Sequence, residues 1–302
     1  MRILVTGGAG FIGSHIVDRF VSLGHEVSVL DDLSSGSKDN VHARARLTVV
    51  DVRDPGPIDA HVVVHHAAQM DVRKSVADPA FDADVNLVGL LRVMEAARKG
   101  GALEHVVFAS SGGAMYGEQD AFPAAEDHAV RPASPYGLSK ATSEQYLAWY
   151  GRMYGITSTS LRYGNVYGPR QNAHGEAGVV AIFCGRILEG KALTIYGDGT
   201  QTRDYVFVDD VVEANALAVE KRPVGGFNIG TAKETDVNAL AARLIRASGA
   251  KVDVQHAAPR AGEQRRSAID PAAYARATGW KPKVDVDDGL ARTFAWFKGR
   301  RR

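Results

Sequence analysis

The sequence predicts an α/β fold, in which a doubly wound parallel sheet is followed by a smaller α/β lobe. Two observations point there. Short β-branched runs at 3–6, 27–30, 48–51, 62–65, 106–109 and 157–161 alternate with longer stretches of helical period. After Asn165 the texture changes, and Gly168-Pro169, His174-Gly175 and Gly197-Asp198-Gly199 punctuate shorter elements.

Each element has a local reason. In the first helix, expected over 11–23, Ile12, Ile16 and Phe20 recur every fourth residue and form an apolar face to lay on the sheet. Further helices are expected at 85–99, 137–152, 177–189, 235–248 and 286–298. A chain of 302 residues buries a substantial core without disulfides or metal. No Pro-rich linker separates the lobes, so they are expected to pack as one body.

Charge and cysteine usage exclude several classes. With 36 basic and 35 acidic residues the net charge is +1, so no long-range field favours nucleic acid or an anionic membrane. The closing Lys298-Gly299-Arg300-Arg301-Arg302 is read as a solvated end. A single Cys184, a strand-like start without a signal-peptide pattern and the lack of a long apolar run all suit the cytoplasm.

The first strand runs into Gly7-Gly8-Ala9-Gly10-Phe11-Ile12-Gly13, a glycine-rich turn that enters a helix. Gly7 permits the turn, Gly10 lets backbone approach a pyrophosphate, and Gly13 lets helix and strand pack closely. Free N–H groups and the positive helix end then face the phosphates. Asp31, about 20 residues on at the end of the second strand, suits a ribose diol and would repel the extra phosphate of NADP. NAD is therefore the expected cofactor and the sheet a Rossmann-type one. Asp51-Val52, after the third strand, stands where the adenine edge would lie. Residues 1–165 are assigned to the NAD-binding domain, which also receives elements from about 204–230, and 166–302 mainly to a nucleotide-sugar-binding lobe.

Tyr136 and Lys140, four apart at the opening of a helix, share one face. A phenol titrates near pH 10, and a neighbouring ammonium together with a cationic nicotinamide would lower that value. Tyr136 then serves as a base toward a sugar hydroxyl, and Lys140 holds the nicotinamide ribose. The pair follows Ser110-Ser111-Gly112-Gly113-Ala114-Met115-Tyr116-Gly117 by one strand and one helix.

Together these stretches resemble the extended short-chain dehydrogenase/reductases of the NAD-dependent epimerase/dehydratase type, and among them the UDP-hexose 4-epimerases. The likeness extends through Asp32-Leu33-Ser34-Ser35-Gly36, His65-His66-Ala67-Ala68-Gln69, Asn86-Leu87-Val88-Gly89, Arg162 to Arg170, Thr202-Arg203-Asp204-Tyr205 and Arg260-Ala261-Gly262-Glu263. It implies that Tyr136 is the base and Lys140 its partner. Phe11, Ile12, Asp32, Leu33, Ser35, Gly36, Val52, His66, Ala67, Ala68, Gln69, Asn86, Ser110 and Tyr163 would line the cofactor. Ser111, Gly112, Asn165, Val179 and Tyr196 would meet the substrate, Arg203 and Arg260 would clamp its diphosphate, and Glu263 would lie near the uridine ribose. The family usually places Ser or Thr where this chain has Gly112, so Ser111 or a water takes over.

The resemblance also separates neighbouring reactions. Sugar 4,6-dehydratases carry an Asp-Glu pair where this chain has Gly113 and Ala114, and related decarboxylases carry Glu at the Ala114 place. Neither acid is present, which leaves 4-epimerisation with NAD unchanged at the end. Neutral Asn165 and Asn172 favour an uncharged hexose, with Arg170 pointing the other way. UDP-glucuronate and UDP-N-acetylhexosamine stay open as substrates. A non-catalytic NAD-binding sensor or scaffold stays open as another class. His65-His66 and His174-Gly175-Glu176 lack zinc-ligand spacing, and no metal is expected. Relatives pair through the helices at 85–99 and 137–152, which makes a homodimer the expectation.

Overall fold

The computed structural model describes residues 1–173, 178–260 and 264–300. In its first half the chain runs β1 (Arg2–Thr6), α1 (Phe11–Ser22), β2 (Glu26–Asp31), β3 (Arg46–Val49), β4 (Val62–His65), α2 (Val72–Ala77), α3 (Pro79–Ala83) and, after a π-helical turn at Asp84–Val88, α4 (Gly89–Gly100). Then come β5 (His105–Ser111), α5 (Gly112–Tyr116), α6 (Pro135–Tyr154) and β6 (Thr157–Tyr163). The second half comprises β7 (Asn165–Tyr167), α7 (Val179–Leu188), β8 (Leu193–Tyr196), β9 (Thr202–Arg203), β10 (Tyr205–Phe207), α8 (Val208–Lys221), β11 (Gly225–Ile229), β12 (Thr235–Asp236), α9 (Val237–Ser248), β13 (Val254–Ala257), α10 (Ala272–Thr278) and α11 (Val286–Gly299).

Seven strands form one parallel sheet in the order β11-β6-β5-β4-β1-β2-β3. Side-chain alternation sends neighbouring residues to opposite faces. Ile3, Val5, Val62, Val64 and Val107 join one core with α1 and α8, whereas Leu4, Val63, Val106 and Phe108 join the other with α4 and α6. On the first face Ile16 and Phe20 of the expected stripe of α1 are buried and Ile12 is partly buried, with Val17 joining them. The same core continues through α7, α9 and α11 of the second half.

Strand order reverses between β1 and β4, and the crevice beyond the carboxyl ends at such a point is where α/β sheets bind ligands. Thr6, Asp31, His65, Ser111 and Tyr163 terminate their strands there. Among the described residues, no helix is long and apolar enough to cross a membrane.

Candidate active site

The glycine turn is shaped by contacts that no side chain fits. Gly7 has φ of +69°, and a Cβ there would stand 2.7 Å from the Ala67 nitrogen. A Cβ at Gly13 would stand 2.2 Å from the Gly7 carbonyl oxygen. The turn thus lies directly against the end of β4, with the N-terminus of α1 open above it. Asp31 is buried beside it, accepting the Ala9 N–H on Oδ2 and the Leu33 N–H on Oδ1, both at 2.9 Å. Each oxygen keeps a lone pair for a ribose hydroxyl. Asp32 folds the next loop by accepting Ser34 N–H and O–H. Asn40 and Ser37 donate to the Ala9 carbonyl, so the loop containing Leu33, Ser35 and Gly36 is held beside the turn.

Several residues expected to line the cofactor have side chains engaged within the protein. Both Asp51 oxygens are occupied by Arg53, through its backbone N–H, Nε and a terminal nitrogen at 2.7–3.1 Å, which keeps the Asp51 carboxyl below its usual range. Adenine would have to displace that fork. Val52 packs its side chain into the core. Asn86 is spent on Gln69, whose N–H it accepts and whose carbonyl it donates to, and on Asp82. It ties down the chain at Gln69, beside Ala67 and Ala68. Ser110 donates to Glu144 at 2.6 Å and is buried behind the site. The Tyr163 hydroxyl accepts from Asn215 at 2.8 Å and lies 3.0 Å from His66 Nε2, away from the crevice.

Tyr136 sits in the first turn of the 20-residue α6, behind a Ser134 cap that accepts the Gly137 N–H and a Pro135 at the first helical position. The positive end of that helix favours a phenolate. Lys140, one turn on and buried, donates to the Ala109 carbonyl at 2.9 Å and lies 5.7 Å from the centre of the Tyr136 ring. No hydrogen bond joins the two. The ammonium together with a cationic nicotinamide was expected to lower the phenol; in the protein alone burial raises it. Burial, with Asp82 nearby, pushes Tyr136 up to about 12, and burial brings Lys140 down to about 8 against the pull of Asp82 and Glu144.

Ser111 ends β5 in register with Tyr163 and caps α5, accepting the Ala114 N–H at a long 3.4 Å. A Cβ at Gly112 would meet the Ile269 side chain at 3.0 Å, so Ile269 would have to give by a few tenths of an ångström. The nearest serine on β5 with its hydroxyl free to donate is Ser111. On the far side of the crevice Asn165 is exposed at the start of β7, two residues beyond the Ser111–Tyr163 pair. Val179 opens α7. The Arg260 guanidinium lies 3.8 Å over the Tyr196 ring and lowers its phenol. Arg203 stands on the separate β9–β12 pair and donates to the Thr202 carbonyl. Glu263 lies outside the described residues.

Comparison with known proteins agrees with this geometry. Residues 3–230 match the model of the NAD dependent epimerase/dehydratase family. The chain belongs to that family. It is 45% identical to the UDP-glucose 4-epimerase of Mycolicibacterium smegmatis, with 99% of each chain covered. Among solved structures it resembles the UDP-glucose 4-epimerase of Thermotoga maritima with UDP-glucose, at a TM-score of 0.95 and 43% identity over all of both chains. It also resembles the Thermus thermophilus UDP-glucose 4-epimerase complex with NAD, at 0.92 and 46% over 99% of each.

For a member of this family the expected cofactor is NAD, and the glycine cradle fits it, since three close backbone approaches leave N–H groups and no side chains at the helix entrance. The polar scaffold beneath the epimerase-family tyrosine escaped the sequence reading. Asp82 is fully buried, and Glu144 forms a nearly buried pair with Arg162 at 2.7 Å, which in turn donates to the Tyr116 hydroxyl at 2.9 Å. Ser139, lying between Tyr136 and Lys140, was a visible signal for the first; nothing in the spacing marks the second. Of the histidines raised as metal candidates, His65 lies 2.9 Å from the Thr6 hydroxyl and His66 bonds Tyr163, and burial keeps both neutral, down to about 3. His174 and Glu176 lie outside the described residues.

Proposed function

We propose that this chain is a UDP-glucose 4-epimerase, interconverting UDP-glucose and UDP-galactose. The observation that carries it is Tyr136 and Lys140 on one helical face at the mouth of an NAD cradle, with α5 offering only Gly113 and Ala114 where an elimination would need acids. NAD, when bound, supplies the hydride acceptor and donor at sugar C4. Tyr136 takes the proton from the C4 hydroxyl and gives it back after the sugar has presented its other face. Ser111 donates to the same oxygen, in place of the side chain that Gly112 lacks. Lys140 fixes the site's positive charge beneath the ring and reaches toward the nicotinamide ribose. Arg260, stacked on Tyr196, and Arg203 hold the diphosphate, since planar guanidinium groups give bidentate bonds to phosphate oxygens.

A neutral hexose is favoured by Asn165 at the mouth of the crevice. We further infer a homodimer, supported by an apolar stripe of Leu138, Tyr146, Trp149 and Met153 along the outer face of α6, all of them exposed. A cytoplasmic place suits Cys184, a free, buried thiol. The deciding experiment incubates purified protein with UDP-glucose, UDP-N-acetylglucosamine and UDP-glucuronate, without added cofactor. Formation of UDP-galactose supports the reading, and failure with all three overturns it.

A further inference from the structure

We propose that Asp82 is a positioning residue for Tyr136 and Lys140, a buried carboxylate that anchors the opening of α6 through Ser139 and supplies the fixed negative charge facing the phenol and the ammonium. The proposal rests on Tyr136 as the base of the reaction proposed above.

Asp82 lies in α3, wholly removed from solvent. Its Oδ2 accepts from the Ser139 hydroxyl at 2.8 Å, and its Oδ1 accepts from Gln69 Nε2 at 3.0 Å and Asn86 Nδ2 at 2.9 Å. All three donors are neutral. Among the described residues none of its hydrogen-bond partners is an arginine or lysine. Ser139 is the residue between Tyr136 and Lys140 on the same helix, and its bond to Asp82 fixes the rotation of that turn. Gln69 and Asn86 carry the same anchor to the cofactor wall after β4 and to the π-helical turn before α4.

Few other charges face the pair. Glu144 acts on Lys140 from α6 but is engaged by Arg162 and Ser110. His65 and His66, from the end of β4, are neutral, and β5 offers the Phe108 ring and the Ala109 carbonyl. From α2, Lys74 stacks on Phe81 and the charge of Arg73 acts on Tyr196. Asp82 is thus the charge that both reactive groups share, and it favours the protonated form of each. It holds the proton on a lysine that burial would strip, and it makes ionisation of the phenol depend on a cation arriving beside it.

The test is Asp82→Asn, a change the site can absorb. The amide oxygen keeps the Gln69 and Asn86 bonds, and the amide nitrogen donates to a Ser139 hydroxyl that rotates to accept. Should the amide fold poorly, Asp82→Ser removes the same charge in a smaller side chain. The protein is labelled with ¹³Cζ-tyrosine, the Tyr136 signal is identified by its loss in Tyr136→Phe, and its pH midpoint is followed in the NAD-loaded chain. Both charge-removing variants should move the midpoint down by about one pH unit, whereas Ser139→Ala, which breaks the anchor and keeps the charge, should leave it in place. A midpoint unmoved in a folded Asp82→Asn or Asp82→Ser chain overturns the proposal. The titration uses no sugar, so a chain inert toward every UDP-sugar would defeat the epimerase reading while leaving this result to stand or fall alone.

Discussion

On the cofactor side of the crevice the contacts are made by backbone: a turn at Gly7 to Gly13 pressed against Ala67, and Asp31 tied to two main-chain N–H groups. On the side proposed for the sugar the candidate residues are exposed side chains, with Asn165, Tyr196 and Arg260 arriving from three separate segments. A backbone cradle is preorganised, because its shape is set by the sheet it grows from. Long side chains must be ordered by the ligand, at a cost in rotamer entropy. The comparison therefore expects substitutions on the first side to damage folding and retention of NAD, and those on the second to damage affinity for substrate alone.

Four substitutions break or sharpen that contrast. The largest effect is expected at the junction of the two sides, where Tyr136→Phe should lower kcat by about a thousandfold without altering NAD content, read by turnover and by absorbance of the bound cofactor. Next, Gly13→Ala forces a Cβ against the Gly7 carbonyl and should destabilise the fold by about 3 kcal/mol in urea unfolding, with loss of bound NAD. Arg260→Ala should instead raise KM for UDP-glucose by about tenfold to a hundredfold and leave the urea midpoint where it was.

The smallest effect has the opposite sign. Lys140 titrates near 8 in the folded chain against 10.5 when exposed, so below pH 8 it is charged in both states and burial of that charge counts against folding. That penalty fades as pH rises from about 8 through 10.5. Lys140→Met should abolish turnover yet stabilise the protein at pH 7 by about 2 kcal/mol, allowing for the lost bond to Ala109. The gain should vanish above pH 10. A destabilised Lys140→Met chain at neutral pH would mean that the bond to Ala109 outweighs desolvation.

Much of the cofactor side was legible because glycine spacing and strand ends report backbone geometry directly. Gly7 follows the end of β1, Gly10 caps α1, Gly13 lies in its first turn and Asp31 ends β2, around the switch point where the pattern predicts them. What the spacing left unread there concerns side chains. Ser110, Tyr163, Asn86 and Asp51 were all expected at the cofactor, yet each side chain is engaged by a partner between 2 and 97 residues away, as Asp51 is by Arg53, Ser110 by Glu144 and Tyr163 by His66. Side-chain direction depends on which group offers the better hydrogen bond in the folded state, and linear spacing does not record it. The same holds for the phenol of Tyr136, whose sequence neighbour Lys140 was expected to acidify it and whose burial acts the other way.

By itself the sequence determined the alternation of strands and helices, the glycine cradle and the helical face that joins Tyr136 to Lys140, because each depends on residues within a few positions of one another. Only the tertiary structure decided that Ile269 lies beside Gly112, that Glu144 pairs with Arg162, and that Asp82 binds Ser139 on the helical turn carrying Tyr136 and Lys140. Those outcomes depend on segments far apart in the chain being brought within a few ångströms, where the removal of water makes a single charge count.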